Sequence, residues 1–309
     1  LAVLLLPASA GAGGGAGESP FTSLFSDASA RPTALGGAYS AMSSDESSLL
    51  YNPAGLAGVS RNGMLFSYNE QVQGVRQQYL SLAFKQGWGV SVGHLDSGAI
   101  PRTTLSNPAG TGLDSARLSD LLLAAGYGWA FSDLLSVGAA GKFLRESADG
   151  RSVSAYAVDL GLLITPPGLS TLRLAGVLQN LGPAVRRDQA RENLPATARL
   201  GAALDLPLRT QPMIIAVDIV KTRAERPVYS MGLESPLGAA VAARLGYSTR
   251  YDVDCVLSTA AGDGAIDYAF LPFGALGGAH RVSLTLRWGK HPLQTRHSFR
   301  DDERVRWIQ

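Results

Sequence analysis

The side chains of this 309-residue chain best suited to nucleophilic or metal chemistry are four histidines, His94, His280, His291 and His297, and one cysteine, Cys255. None sits in a pattern that would use it. No nucleophile elbow, zinc-type pair or phosphate-cradling loop accompanies any of them, so no enzyme activity, metal or cofactor is expected. A lone cysteine can form no intrachain disulfide and reads as a small apolar side chain on a strand. More distinctive are seven charged residues set singly at alternate positions inside apolar segments: Asp159, Arg173, Arg199, Asp218, Arg244, Asp267 and Arg281. Charges so placed could line a selective permeation path, or form a ladder of mixed sign that ties an interior together.

The segments that carry these charges have a period of two, the signature of strands. In the last one Val282, Leu284, Leu286 and Trp288 alternate with Arg281, Ser283, Thr285 and Arg287; similar alternation runs through Tyr156 to Leu162, Ala198 to Asp205 and Val241 to Ser248. Fourteen such segments can be placed, near 63–70, 76–85, 88–96, 118–131, 134–145, 153–165, 171–181, 196–206, 212–221, 227–235, 239–248, 252–261, 264–272 and 279–289. A soluble sandwich would show the same alternation. An even number of strands of roughly nine to eleven residues is what a closed transmembrane barrel requires. The fold class expected is therefore all-β: a transmembrane antiparallel β-barrel of about 14 strands. In such a barrel a charge facing lipid costs about 2–4 kcal/mol near the midplane, so the seven charges are expected to face the lumen, and Leu245, Tyr268 and Leu284 the lipid.

The connections agree with that topology. Short turns at Gln86-Gly87 and Ser132-Asp133 alternate with longer ones at 97–117, 146–152 and 182–195, as short periplasmic turns and long external loops would. Both termini then fall in the periplasm. Trp88, Tyr127, Trp129, Tyr268, Phe270 and Trp288 lie near strand ends, where interfacial girdles belong. After Leu6 no uncharged apolar run of about 18 residues occurs, so a membrane helix is not expected.

Composition sets the remaining bounds. The chain is 46% hydrophobic and 17% charged, with 36 glycines scattered through its apolar segments, which argues against long helices. A formal net charge of +2 with no basic cluster in the body excludes nucleic acid as a partner. Residues 1–10 read as the remnant of a signal peptide, an apolar Leu1–Leu6 run ending in Ala8-Ser9-Ala10. Residues 11–62 are polar and small, with a short helix or turn expected at Ser43 to Tyr51; they precede the barrel, 63–289. A charged tail, 290–309, cannot enter a bilayer.

The run Ala34-Leu35-Gly36-Gly37-Ala38-Tyr39, followed by Asp45 and by Tyr51-Asn52-Pro53-Ala54-Gly55-Leu56, resembles the opening segment of the PorV/PorQ-like outer-membrane proteins, relatives of the FadL transporters. Val177 to Pro183, Leu194-Pro195 leading to Arg199-Leu200-Gly201, and Asp267 to Phe270 through Phe273-Gly274 to His280-Arg281-Val282-Ser283 resemble that family's later strands. The resemblance implies a fourteen-stranded barrel whose N-terminal segment is a hatch, with Gly36, Gly37, Asn52, Pro53, Ala54 and Gly55 as its motif. Glycines can take positive φ and Pro53 fixes a turn, so such a segment can fold back inside a narrow lumen. A second Asn107-Pro108-Ala109-Gly110 is a turn in an external connection. The resemblance further implies outer-membrane lipid as surroundings and one of two roles. PorV-like proteins act in type IX secretion, with secreted proteins or secretion-machine subunits as partners; FadL-like proteins pass hydrophobic small molecules.

Overall fold

The computed structural model describes residues 20–187, 190–208, 212–237, 241–250, 252–261, 263–272 and 277–289. The signal-like run, the charged tail and its His291 and His297 lie outside them. Fourteen strands close into one antiparallel barrel. In chain order they are β1 (Asn62–Glu70), β2 (Arg76–Ala83), β3 (Trp88–Asp96), β4 (Leu118–Ser132), β5 (Leu135–Ala148), β6 (Arg151–Ile164) and β7 (Leu172–Leu181). The second half comprises β8 (Thr197–Leu206), β9 (Met213–Thr222), β10 (Val228–Pro236), β11 (Val241–Ser248), β12 (Asp252–Ala261), β13 (Gly264–Pro272) and β14 (Gly278–Trp288). Each strand pairs with its neighbours in sequence, and β14 returns to β1 from Asn62↔Trp288 to Glu70↔His280. Closure leaves no free sheet edge to attract another chain. Below, the end that carries Asn62 and Trp288 is called the base and the other end the rim.

The period-two sequence pattern appears directly as burial. In β14, Arg281, Ser283 and Thr285 are buried inside the barrel while Val282, Leu284, Leu286 and Trp288 are exposed outside. The outer face is apolar around most of the wall, with Tyr156, Leu200, Tyr229, Met231, Leu245 and Ile266 all exposed. So much contiguous apolar surface is unfavourable in water and natural against hydrocarbon. Leu245, Tyr268 and Leu284 are exposed on this face. Trp88 packs at a tilt against Tyr127 (4.7 Å between ring centres) and Trp129 edge-on against Phe131 (5.7 Å), both pairs toward the base.

One expected connection does not exist as such. Residues 146–152 were expected to form a long loop; instead β5 and β6, 14 residues each, run on to a two-residue turn at Asp149-Gly150. Both turn residues have positive φ, 53° and 79°, the geometry that tight hairpins favour. The polar residues that read as loop, Glu146, Ser147 and Ser152, are paired in the ladder. The connection at 97–117 carries a short hairpin, Ile100–Pro101 with Ser115–Ala116, and is fastened to the β5–β6 tip by an Arg102–Asp149 ion pair.

Between β6 and β7 the register shifts at Asp159, where Val158 faces Leu181 but Leu160 faces Leu178. Asn180 takes a left-handed conformation there (φ 58°), and its N–H donates to Asp159 Oδ1 at 2.8 Å. Beyond this bulge the chain leaves the wall. Residues Val185–Arg187 and Ala190–Glu192 pair as a small hairpin turned inward. Val185 and Leu194 are buried with Leu122, Leu144, Ala155 and Ala157 from the wall and Phe21 from the N-terminal segment.

Candidate functional site

The N-terminal segment runs down the inside of the barrel from rim to base. Near the rim, the N–H of Phe21 donates to Glu146 Oε2 (2.6 Å) and that of Ser23 to Asp120 Oδ2 (2.9 Å). Two one-turn helices follow, α1 (Ala30–Thr33) and α2 (Ser48–Tyr51), then a 3-10 turn over Pro53–Gly58 at the base. The helix expected at Ser43 to Tyr51 is thus confined to its last four residues. Leu35, Ala38, Tyr39, Met42 and Tyr51 are buried against Ala175, Ala203 and Ala216 of the wall. Small side chains line the barrel where the segment's large ones need room.

Glycines take this fit further, and they are what the sequence reading overlooked. A Cβ on Gly161 of β6 would overlap Asn52 Oδ1, and one on Gly138 of β5 would overlap the Ala54 nitrogen and the Pro53 carbonyl. On Gly128 it would lie 2.5 Å from the Ala57 nitrogen, on Gly126 2.7 Å from Leu49, on Gly89 2.8 Å from Leu56 and on Gly232 2.7 Å from Leu35. All six face inward, so the wall is cut away where the segment's backbone lies. Many of the glycines scattered through the strands therefore serve close approach.

The motif residues divide by role. Gly36 and Gly37 do have positive φ, 63° and 81°, and Gly36 also lies too close to the Tyr247 backbone to carry a side chain. Gly55 was expected to need positive φ and does not; a Cβ there would overlap the Ser43 carbonyl, so packing explains it. Asn52, fully buried, caps the 3-10 turn by accepting from Ala54 N–H (3.0 Å) and donates to the carbonyls of Ser40 and Leu162, both at 3.1 Å. Pro53 opens that turn, where its missing N–H costs nothing.

All seven singled-out charged residues lie on the inner face, and most of them hold the segment or each other. Asp218 accepts from the backbone N–H (3.1 Å) and hydroxyl of Ser40. Arg173 donates to the Ala41 carbonyl (3.3 Å) and pairs with Asp205 (2.5 Å). Arg244 pairs with Glu234 (2.5 Å) and Asp267 (2.8 Å), while Glu234 also receives Arg31 from the segment (2.9 Å). Asp159 pairs with Lys142 at 2.6 Å. Arg281 donates to the Thr33 hydroxyl. Arg199 is bonded through Nε to Gln179 (2.8 Å) and lies over the ring of Tyr51, 5.6 Å from its centre. Lys142, Glu234, Arg31 and the Glu46–Arg287 pair (2.8 Å) complete the network. Lys142, Glu234 and Arg287 were legible by the same alternation, since they share the inward phase.

Two phenols stand in the segment's interior. Tyr39 donates to Asp45, and Tyr51 donates to Asp27 at 2.7 Å. Burial raises both phenol pKa values well above the ordinary one, and the neighbouring carboxylates add to the rise. The hydroxyls therefore stay protonated donors.

Beside the segment, toward the rim, an open hollow with a cavity volume of about 70 Å³ is bordered by Ser23 to Asp27, Tyr51, β8 to β11 and the Lys142–Asn180 side of the wall. Its border mixes Leu24, Leu50 and Val220 with Arg199, Thr222 and Ser230.

Neither a protein-family model nor a curated protein matches the sequence. Solved structures do match in fold. The CymD monoaromatic hydrocarbon channel aligns over 86% of this chain and 98% of its own, with a TM-score of 0.58 at 15% identity. A Pseudomonas aeruginosa FadL homologue aligns over 84% and 98% (TM-score 0.54, 10% identity), and the P. putida toluene transporter TodX over 85% and 99% (0.52, 14%). The fold is that of FadL-type barrels. At these identities the likeness is one of fold.

Proposed function

We propose that this chain is an outer-membrane barrel that passes small hydrophobic molecules, with the segment from residue 20 to 61 as its hatch and both termini in the periplasm. The observation that carries the reading is a lipid-compatible barrel whose lumen is occupied from rim to base by its own N-terminal segment and still keeps a hollow toward the rim. A plugged lumen blocks ions and bulk water, while the hollow can admit one compact solute at a time. The fold likeness to hydrocarbon channels supports the same role, and the catalytic patterns missing from the sequence favour a non-enzymatic one. The test is uptake of labelled toluene by cells with an intact lipopolysaccharide leaflet, with and without the protein; equal uptake rejects passage.

A second reading, reception of secreted proteins in a type IX-like machine, draws on one feature, the long β4–β6 strands with the 97–117 loop fastened to the β5–β6 tip through Arg102 and Asp149. Removing residues 103–113 tests it. Loss of cargo capture with toluene uptake intact would favour this role, and the reverse result would dismiss it.

A further inference from the structure

The hollow has a border that a plain hydrocarbon would leave unsatisfied. Most cations on the inner wall are matched by carboxylates: Lys142 by Asp159, Arg173 by Asp205, Arg244 by Glu234 and Asp267, Arg287 by Glu46; Arg281, buried away from the hollow, donates to the Thr33 hydroxyl. Arg199 differs. Its Nε donates to Gln179 and its guanidinium lies over the Tyr51 ring; Asp218 on the next strand is near enough to feel its charge, yet among the described residues no carboxylate lies within ion-pair distance of its terminal nitrogens. It is half-buried and borders the hollow. A guanidinium anchored through Nε, with no carboxylate at its terminal nitrogens, can receive a carboxylate in bidentate fashion.

The surroundings narrow the ligand further. Thr222 and Ser230, on adjacent strands, put hydroxyls on the same border, and Leu24, Leu50 and Val220 supply apolar surface. Asp27 borders the hollow too, but the Tyr51 hydroxyl donates to it. Lys142 is committed to Asp159 and to Asn180 Oδ1 (2.9 Å).

We infer that the hollow is a binding site for a compact organic acid with an apolar body and hydroxyl groups, such as a hydroxylated aromatic carboxylate, and that Arg199 grips its carboxylate. The inference rests on the small-molecule reading and gives it a substrate class; a neutral hydrocarbon would cover the terminal nitrogens of the guanidinium without giving them an acceptor, which disfavours it.

The test is equilibrium binding of 4-hydroxybenzoate and toluene to the full chain folded in detergent, followed separately by uptake into cells. The expected result is that 4-hydroxybenzoate binds at least tenfold tighter than toluene. Arg199→Gln removes that preference, Arg199→Lys restores part of it, and toluene binding changes less than twofold in either. The paired change Thr222→Val with Ser230→Ala weakens the acid several-fold and leaves benzoate less affected; it keeps the inference testable should Arg199→Gln not fold. Equal binding of the acid by the unchanged protein and Arg199→Gln, or toluene bound as tightly as the acid, overturns the site. Tight, Arg199-dependent binding without uptake would instead overturn passage and leave the site standing.

Discussion

Replacing Gly161 by Ala adds one methyl group to the inner wall at the point where Asn52 docks. The new Cβ would overlap Asn52 Oδ1, with Pro53 Cδ at 2.9 Å and the Ala54 nitrogen at 3.0 Å. Strand β6 is held on both sides by its ladder, so Asn52 must yield. In moving, it gives up three buried hydrogen bonds, to Ser40, Leu162 and Ala54. At about 0.5–1.5 kcal/mol net for each bond, the loss is roughly 1.5–4.5 kcal/mol, borne by the seating of the hatch and not by the barrel ladder. The assay is a double-mutant cycle with Asn52→Ala, read by denaturant stability and by ion conductance across a planar bilayer. Gly161→Ala should raise conductance while the barrel remains heat-modifiable. In the Asn52→Ala background the same change should cost much less, because the group it strikes is gone. Additive costs, or a Gly161→Ala protein as stable and as closed as the original, would refute the socket argument.

Replacing Leu284 by Arg puts a charge on the lipid-facing side and should impair assembly by about 2–4 kcal/mol, whereas Arg281→Ser, on the inner side, should be much milder; gel mobility with and without heating reads both. Removing one partner of the buried Lys142–Asp159 pair by Asp159→Asn should cost about 3–5 kcal/mol, and the double change Lys142→Met/Asp159→Leu should recover part of it in urea unfolding. Tyr39 and Tyr51 have pKa values raised in the folded protein above the ordinary 10.0. Their protonated forms therefore stabilise the seated hatch fully below pH 10 and progressively less as pH rises beyond it. Conductance should accordingly begin to rise above about pH 10, and Tyr39→Phe/Tyr51→Phe should blunt that rise.

The barrel was largely legible in the sequence because its two environments, lipid and lumen, alternate with the same period as the strand. All fourteen segments fall within a few residues of their strands. The β5–β6 hairpin was misread for a physical reason: Glu146 is polar because it faces the lumen, where it accepts from Phe21 N–H and pairs with Arg187, and beside Ser147 and Ser152 it looks like a loop residue although all three are paired. The hatch was legible only in part. Asn52 and Pro53 carry a local turn signal, but the contacts that seat them are long-range, and no local pattern marks Gly138 or Gly161 as sockets. Gly55 shows the same limit, since a glycine needed for close approach looks identical in sequence to one needed for positive φ. Arg199 shared the phase of six other charged positions, and only its place on the border of the hollow, with no carboxylate in ion-pair contact, separates it from the rest.

The most direct test of the central claim, a plugged barrel that passes small hydrophobic molecules, compares two fluxes in the same membranes. Outer-membrane vesicles with an intact lipopolysaccharide leaflet are prepared with the full chain and with a chain lacking residues 20–58, and labelled toluene and potassium fluxes are measured on each. The account predicts that the full chain speeds toluene entry over vesicles without it while potassium stays excluded, and that the deletion admits potassium. Toluene entry no faster than in vesicles lacking the protein, or potassium passing freely through the full chain, would contradict it.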